Sequence, residues 1–279
     1  MTIRVTGGQP HRAADRPEGV FSRSFGQGPR NVLAVHCSLA HSGAWRRLAG
    51  EMAGDITLTA FDMLSHGRSP DWDGTGNYQL LNVDAGLALL SEPADLIGHS
   101  FGATVALRMA MARPHLVRSL TLIEPVLFAV AKSDAPAAFA TLEAASRPID
   151  AAWAAGDLAL MARLFNRMWG PGEPKWADLP EQARAAMIRA IPVVPACHPT
   201  LFDDENGTLS PGALDPVAMP VLLLHGSESP GVIGEIVRGF SRRLANARAG
   251  SVPDAGHMLP VTHPQQTAQL LRQFWQARN

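Results

Sequence analysis

The sequence predicts an α/β protein in which a mostly parallel sheet carries helices on both faces. Short apolar segments, typical of buried strands, alternate with longer segments whose apolar residues recur at helical spacing. A block of helical segments without a strand pattern interrupts this alternation in the second half of the chain. Alternating strands and helices favour parallel strands, because parallel neighbours need a crossover connection, usually a helix. The interrupting block is most simply an insertion into the sheet domain.

The first half of the chain holds six of the predicted strands. They cover residues 3–6, 20–25, 31–35, 56–61, 94–97 and 120–123. The first two alternate polar and apolar residues, as edge strands do. Helices are predicted over residues 45–52, 77–90 and 103–111, and Pro114 ends the last of them.

The second half begins with the block that has no strand pattern. Helices rich in Ala, Leu and Met are predicted over residues 136–145, 149–169 and 181–191, and prolines interrupt the later part. Strands then return at 221–224 and 249–252, with helices at 232–244 and 264–277. We therefore predict a core made of residues 1–127 and 216–279, with a helical cap over residues 128–215.

Composition excludes several classes of partner. The 279 residues carry a net charge of −1 and are 46% hydrophobic, enough for a sizeable core and without the basic excess of a nucleic-acid binder. The two cysteines are too few for a disulfide framework or a thiolate metal site. No metal-ligand or phosphate-loop motif is present, so we expect neither metal nor cofactor.

The expected partner is a small-molecule substrate. No apolar segment reaches the roughly 18 residues that a membrane span requires. The first residues are polar and contain arginine, unlike a secretory signal, so a cytoplasmic location is expected. The sequence leaves the oligomeric state open.

The segment Gly98 to Gly102 reads G-x-S-x-G and joins a predicted strand to a predicted helix. A serine on such a sharp turn is pushed out of the sheet, so its hydroxyl is exposed. The glycines allow the strand and the helix to approach closely. We interpret Ser100 as a nucleophile and the backbone N–H of Phe101, directly after it, as an oxyanion donor.

A serine nucleophile needs a general base, and His257 is the best-placed candidate. It follows the last predicted strand and precedes the last predicted helix. In a parallel sheet this loop lies at the same carboxyl edge as Ser100. The base in turn needs an acid that orients it.

The chain resembles the α/β-hydrolase fold family over nearly its whole length. The resemblance rests on several segments in the family's order and spacing, namely 36–38, 62–69, the Ser100 turn, 123–125, 224–226 and 255–257. It implies an eight-stranded sheet, a Ser/acid/His triad and a cap over the active site. It also implies that the second oxyanion donor is the backbone N–H of Ser38, although Cys37 stands where the family usually has glycine.

The sequence position of the triad acid departs from the family's common pattern. Members of the family usually carry it after the strand at 221–224, where this chain has Ser229. Two carboxylates could replace it: Glu124, which ends the strand after the Ser100 helix as in some family members, and Glu228, one residue before Ser229. Glu124 is the preferred candidate and Glu228 the alternative.

These residues predict a serine hydrolase that cleaves a small carboxylic ester through an acyl-enzyme. Met161, Phe165 and Trp169 of the predicted cap are candidates to line the substrate pocket. Two alternatives stay open: hydrolysis of a C–C bond, lactone or thioester on the same triad, or a hydrolase scaffold that binds a ligand without turnover.

Overall fold

A computed structural model describes residues 19–170 and 175–276 of the chain. Its sheet has seven strands in the order β1-β3-β2-β4-β5-β6-β7. Strand β1 is antiparallel to β3, and every other pair is parallel. The strands are β1 (Ser22–Phe25), β2 (Arg30–Val35), β3 (Ile56–Phe61), β4 (Ala94–His99), β5 (Val117–Ile123), β6 (Val221–Gly226) and β7 (Ala247–Val252).

The predicted α/β class with a mostly parallel sheet is confirmed. The strand expected at residues 3–6 lies outside the described residues. The helices are α1 (Arg46–Glu51), α2 (Tyr78–Leu87), α3 (Phe101–Ala112), α4 (Phe128–Asp134), α5 (Pro136–Ala154), α6 (Leu158–Trp169), α7 (Glu181–Ala190), α8 (Val193–Ala196), α9 (His198–Phe202), α10 (Gly231–Arg243), α11 (Leu259–Thr262) and α12 (Pro264–Gln276).

Both faces of the sheet are buried, and the alternation of side chains along the strands shows how. On β2, Leu33 and Val35 belong to the core cluster that contains residues of α3 and α10. Val32 and Ala34 point to the opposite face and join the cluster that contains residues of α1 and α12. Strands buried on both faces consist of nearly continuous aliphatic residues, which is why they were recognisable in the sequence.

In the described part of the chain, six α-helices, α4 to α9, follow β5 and precede β6, and we call them the intervening helices. Part of this segment has a small core of its own, formed by Ile149, Ala152, Met161, Ala162 and Ile191. The described residues between β5 and β6 contain no strand. This agrees with the absence of a strand pattern there in the sequence.

One predicted helix boundary is wrong. The break expected near Pro148 is absent, because α5 continues through this proline to Ala154. Pro148 is exposed, so the hydrogen bond that its missing N–H would have made is lost on the solvent side. The chain breaks instead at Gly156, which has a φ of 71°. Asp157 then caps α6 by accepting a hydrogen bond from the N–H of Leu160.

Candidate active site

Ser100 lies between β4 and α3, and its backbone has a conformation that residues other than glycine rarely adopt. Its φ is 56° and its ψ is −119°. A Cβ atom at Gly98 would collide with the backbone of Gly102 and Ala103, and one at Gly102 would collide with the carbonyl oxygens of Val35 and His36. The two glycines are therefore required by close packing of β4, α3 and β2. The turn presents the Ser100 hydroxyl at the carboxyl edge of the sheet.

His257 lies in the loop between β7 and α11, with its ring beside Ser100. Its Nε2 is 2.9 Å from Ser100 Oγ. The ring is 97% buried, and its centre lies 4.7 Å from that of Trp169. The sheet edge thus brings together two residues that are 157 positions apart in the chain.

Of the two candidate acids, the structure brings Glu124 to His257. Glu124 directly follows β5, and its Oε2 lies 2.8 Å from His257 Nδ1. Its φ of 53° turns the chain sharply at the end of the strand. Glu228 is exposed instead, and its carboxylate contacts the hydroxyl of Ser227.

Glu124 is fully buried, so its carboxylate depends on hydrogen-bond donors. Its Oε1 accepts the backbone N–H of Gly226 at 2.6 Å and the hydroxyl of Ser229 at 2.7 Å. Burial alone would raise the pKa of Glu124. The hydrogen bond and charge of His257, together with the Ser229 and Gly226 donors, outweigh burial and hold that pKa below its ordinary value. The carboxylate is therefore ionised at neutral pH.

Ser38 lies in the turn after β2 and, with Ser100, lines both cavities of the site. The turn does not need glycine at position 37, because the left-handed conformation falls at Leu39, with a φ of 62°. Cys37 is buried and is not among the described residues with positive φ. A small side chain is thus accommodated where the family usually has glycine.

Two buried histidines hold this turn in place. Burial lowers the pKa of His36 to about 3 and that of His66 to about 4, so both rings are neutral. The Nδ1–H of His36 donates to the Cys37 carbonyl at 2.7 Å, and its Nε2 accepts the Met63 N–H at 3.0 Å. The Nε2 of His66 accepts the N–H of Leu39 at 3.0 Å. The backbone on either side of Ser38 is therefore fixed by side chains.

Asp62 ends β3 and orders the loop that follows it. Its carboxylate accepts the backbone N–H of Ser42 at 2.6 Å and that of Arg68 at 2.8 Å. Asp62 therefore fixes the start of the loop at residues 66–69.

His99, next to the nucleophile, contacts the base through its backbone. Burial, followed by the positive charge of a protonated His257, lowers the pKa of His99 to about 3. The neutral ring donates from Nε2 to the His257 carbonyl at 2.8 Å. His99 therefore positions the loop that carries His257.

Two cavities meet at Ser100, and Phe165 and Trp169 line both. The larger, about 640 Å³, is lined by Arg23 and Arg68 and is called the arginine cavity. The other, about 600 Å³, is lined by Phe128 and Phe202 and is called the aromatic cavity. Met161, a predicted pocket residue, lines the aromatic cavity.

The described residues contain no group of three or more potential metal ligands, and none of their helices is long and apolar enough to cross a membrane.

Comparison with known proteins identifies the class. The sequence profile of the alpha/beta hydrolase family matches residues 32–270. The chain therefore belongs to this family, which confirms the resemblance seen in the sequence.

Relatives with similar sequences indicate which kind of hydrolase the chain is. The chain is 29% identical to a pimeloyl-(acyl-carrier protein) methyl ester esterase of Methylococcus capsulatus over 92% of this chain and 98% of that protein. It is 40% identical to Lipase LipV of Mycobacterium tuberculosis over 36% of this chain and 39% of that protein. The predicted serine hydrolase of the esterase type is thereby confirmed as the class of enzyme.

Solved structures agree on the fold. A hydrolase from Oleispira antarctica superposes with a TM-score of 0.72 at 17% identity, over 96% of this chain and 98% of its own. A thermophilic esterase from Thermogutta terrifontis has a TM-score of 0.69 at 21% identity, over 92% and 93% of the two chains.

Sequence reasoning did not assign roles to four residues of this site. His36, His66 and His99 act through backbone groups that no sequence pattern reveals. Ser229 was noticed only as the residue in the usual acid position, and its hydrogen bond to Glu124 depends on how the ends of β5 and β6 lie together.

Proposed function

We propose that this protein hydrolyses small carboxylic esters through a Ser100–His257–Glu124 triad. The continuous hydrogen-bonded chain from Glu124 through His257 to Ser100 is the observation that supports the proposal. Nucleophile, base and orienting acid in this geometry define serine-hydrolase chemistry whatever their order in the sequence.

The first half of the reaction forms an acyl-enzyme. His257 Nε2 takes the proton of the Ser100 hydroxyl as Oγ attacks the ester carbonyl carbon. The ionised Glu124 holds the ring through Nδ1 and stabilises its positive charge. The tetrahedral intermediate then collapses: the bond to the leaving oxygen breaks, and His257 gives its proton to that oxygen.

The second half uses the same groups on water. His257 removes a proton from water, whose oxygen attacks the acyl carbon. The bond to Ser100 Oγ breaks, Oγ regains the proton from His257, and the carboxylic acid is released. In both halves the N–H groups of Ser38 and Phe101 stabilise the oxyanion, each contributing about 3 kcal/mol to transition-state stability.

The proposal includes the domain organisation predicted from the sequence. The core comprises residues 1–127 and 216–279 with an eight-stranded sheet, and residues 128–215 form a cap. Met161, Phe165 and Trp169 of α6 line the cavities beside Ser100 and form part of the substrate pocket. A cytoplasmic location is part of the same prediction.

The substrate class follows from the site. Esterase names among the relatives and an apolar aromatic cavity of about 600 Å³ favour an ester with a small or medium apolar group. No described contact favours C–C bond, lactone or thioester hydrolysis over ester hydrolysis.

Turnover of p-nitrophenyl butyrate by the wild-type protein and by Ser100→Ala tests the proposal. We expect Ser100→Ala to lose at least 1,000-fold in kcat/KM (on the order of the loss known for triad nucleophiles). A fluorophosphonate probe should label the wild type and not the variant. Equal esterase rates, or an unlabelled wild type, would contradict the proposal and leave the ligand-binding alternative.

A further inference from the structure

We propose that the arginine cavity binds an anionic group carried by the alcohol portion of the ester, while the aromatic cavity takes an uncharged acyl group. This inference rests on the proposed function, because it uses the direction of proton transfer in that reaction. It specifies that the alcohol portion of the substrate is negatively charged, and it specifies which cavity each half of the ester occupies.

The first observation is a pair of arginines without acidic partners among the residues that the structure describes. Arg23 on β1 and Arg68 in the loop after β3 both line the arginine cavity. Their guanidinium carbons lie 5.0 Å and 4.3 Å from the centre of the Phe21 ring. Two positive groups are thus held against one aromatic ring, and neither forms an ion pair with a described residue.

Several other arginines in the described part of the chain do have carboxylate partners. Ion pairs join Arg30 and Arg118 to Asp95, Arg189 to Asp71, Arg238 to Glu235, Arg242 and Arg243 to Asp134, and Arg272 to Asp55. The Nε atom of Arg23 is buried without a hydrogen-bond partner among the described residues. Because both guanidinium groups line the cavity, an anionic ligand there would relieve the repulsion between the two cations.

Asp62, the carboxylate that lines the same cavity, forms an ion pair with neither guanidinium group. It is buried, and its two oxygens accept the backbone N–H groups of Ser42 and Arg68. Its charge is thus already stabilised by donors on the cavity floor. The two guanidinium groups therefore remain available to a ligand carboxylate, sulfate or phosphate, which arginine binds well.

The second observation assigns the arginine cavity to the leaving group of the ester. His257 and Met258 line the arginine cavity. The described lining of the aromatic cavity includes Phe101 but not His257. Because His257 must protonate the leaving oxygen, the alcohol portion has to lie on the side where His257 is accessible. The anion bound by the arginines is then on the alcohol.

The aromatic cavity has the opposite character. Its inner wall includes Phe128, Leu142 and Phe202, and its exposed rim includes Glu143 and Asp150 beside Arg147. A second anion would be repelled at this rim and desolvated inside. The acyl group placed there is therefore expected to be uncharged.

A pair of nearly isosteric esters tests whether the site prefers a negative charge on the alcohol portion. The butyrate ester of 4-hydroxyphenylacetate carries a carboxylate on the leaving phenol, and that of 4-hydroxyphenylacetamide carries a neutral amide. We expect the wild type to favour the carboxylate ester by about tenfold in kcat/KM at low ionic strength, and less at high salt. In the Arg23→Gln/Arg68→Gln variant the ratio should fall to about 1.

Further variants test whether a changed preference between the two esters reflects partial unfolding and not the loss of the arginine charges. Each ratio is measured on one protein preparation, so partial unfolding lowers both rates and leaves the ratio unchanged. Arg68→Glu, at an exposed position, should invert the preference. Arg163→Gln, an exposed arginine on α6 that lines neither cavity, should keep the wild-type ratio.

The orientation is tested with phenyl hydrogen glutarate, which carries its carboxylate on the acyl side, against phenyl butyrate. We expect no preference for the anionic acyl group. A wild-type ratio near 1 for the first ester pair, an unaltered ratio in the double variant, or a preference for the acyl-side carboxylate would each overturn the inference. Loss of the proposed function itself would look different, since neither ester would then be cleaved faster by the wild type than by Ser100→Ala.

Discussion

The ends of β5 and β6 are adjacent at the carboxyl edge of the sheet, yet they contribute opposite chemistry to the same site. The end of β5 supplies a buried carboxylate, Glu124, to His257. The end of β6 supplies donors to that carboxylate, the N–H of Gly226 and the hydroxyl of Ser229. One loop carries the charge, and the other stabilises it.

In the proposed triad, the position beside His257 Nδ1, rather than a particular strand, defines the acid. Strands β5 and β6 are parallel neighbours, with Ile123 paired to Leu224. A carboxylate from either strand end can therefore approach the same ring nitrogen. When β5 provides it, a short hydroxyl side chain suffices on β6.

Removing the charge from the β5 end should have the largest effect. Glu124→Gln keeps the size of the side chain but presents an amide that neither orients the imidazole correctly nor stabilises its positive charge. We expect kcat to fall by about 1,000-fold or more. Glu228→Gln is the matched control and should stay within about twofold of the wild type. Similar rates for the two variants would refute the assignment of the acid.

Moving the charge to the β6 end should partly restore activity. In Glu124→Ser/Ser229→Asp the carboxylate and the hydroxyl exchange strands. We expect this variant to be at least about tenfold more active than Glu124→Ser alone, because the relocated carboxylate can reach His257 Nδ1. Steady-state kinetics on p-nitrophenyl butyrate measure the gain. No gain in a folded double variant would show that the two strand ends are not equivalent.

Removing only the hydroxyl donor should have a smaller effect. Ser229→Ala leaves the Gly226 N–H in place, so we expect kcat to fall a few-fold (about 1 kcal/mol) with little change in KM. Ser229→Thr keeps the hydroxyl and should preserve most of the activity. If the threonine variant loses as much as the alanine variant, packing rather than the hydrogen bond explains the role of Ser229.

The smallest expected effect is on the pH dependence of stability. The pKa of Glu124 lies below its ordinary value of 4.5, so its ionised form stabilises the fold above that value. This contribution is lost as the pH falls through the lower pKa of the folded state. The difference in unfolding free energy between wild type and Glu124→Gln should therefore be constant at neutral pH and shrink below about pH 4.5. Urea unfolding at several pH values measures it, and a difference that grows on acidification would contradict the sign.

The sequence predicted the strands well because their signal is local. Strands β2 to β6 are buried on both faces, and the aliphatic residues that bury them stand next to one another in the chain. The break predicted between residues 145 and 149 was misplaced, because α5 continues through Pro148 and the chain turns only at Gly156. An exposed proline inside a long helix is tolerated when packing on the other face holds the helix together.

The residues of the site likewise fall into those with a local sequence signal and those without one. The turn at Ser100 is a contiguous motif, and Gly98 and Gly102 signal its tight packing. The choice between Glu124 and Glu228 depends on which side chain is buried below His257, and that is set by contacts between residues more than 100 positions apart. The support given by His36, His66 and His99 runs through carbonyl and amide groups, which every residue possesses and no sequence pattern distinguishes.

The meeting of two cavities at Ser100 has a consequence for the order of events after acylation. With the acyl group held in the aromatic cavity, the first product can depart through the arginine cavity without passing the group that remains bound. The vacated space lies on the His257 side, where the second nucleophile must be deprotonated. Whatever fills that space, water or another alcohol, determines whether the acyl group is released as an acid or transferred to a new ester.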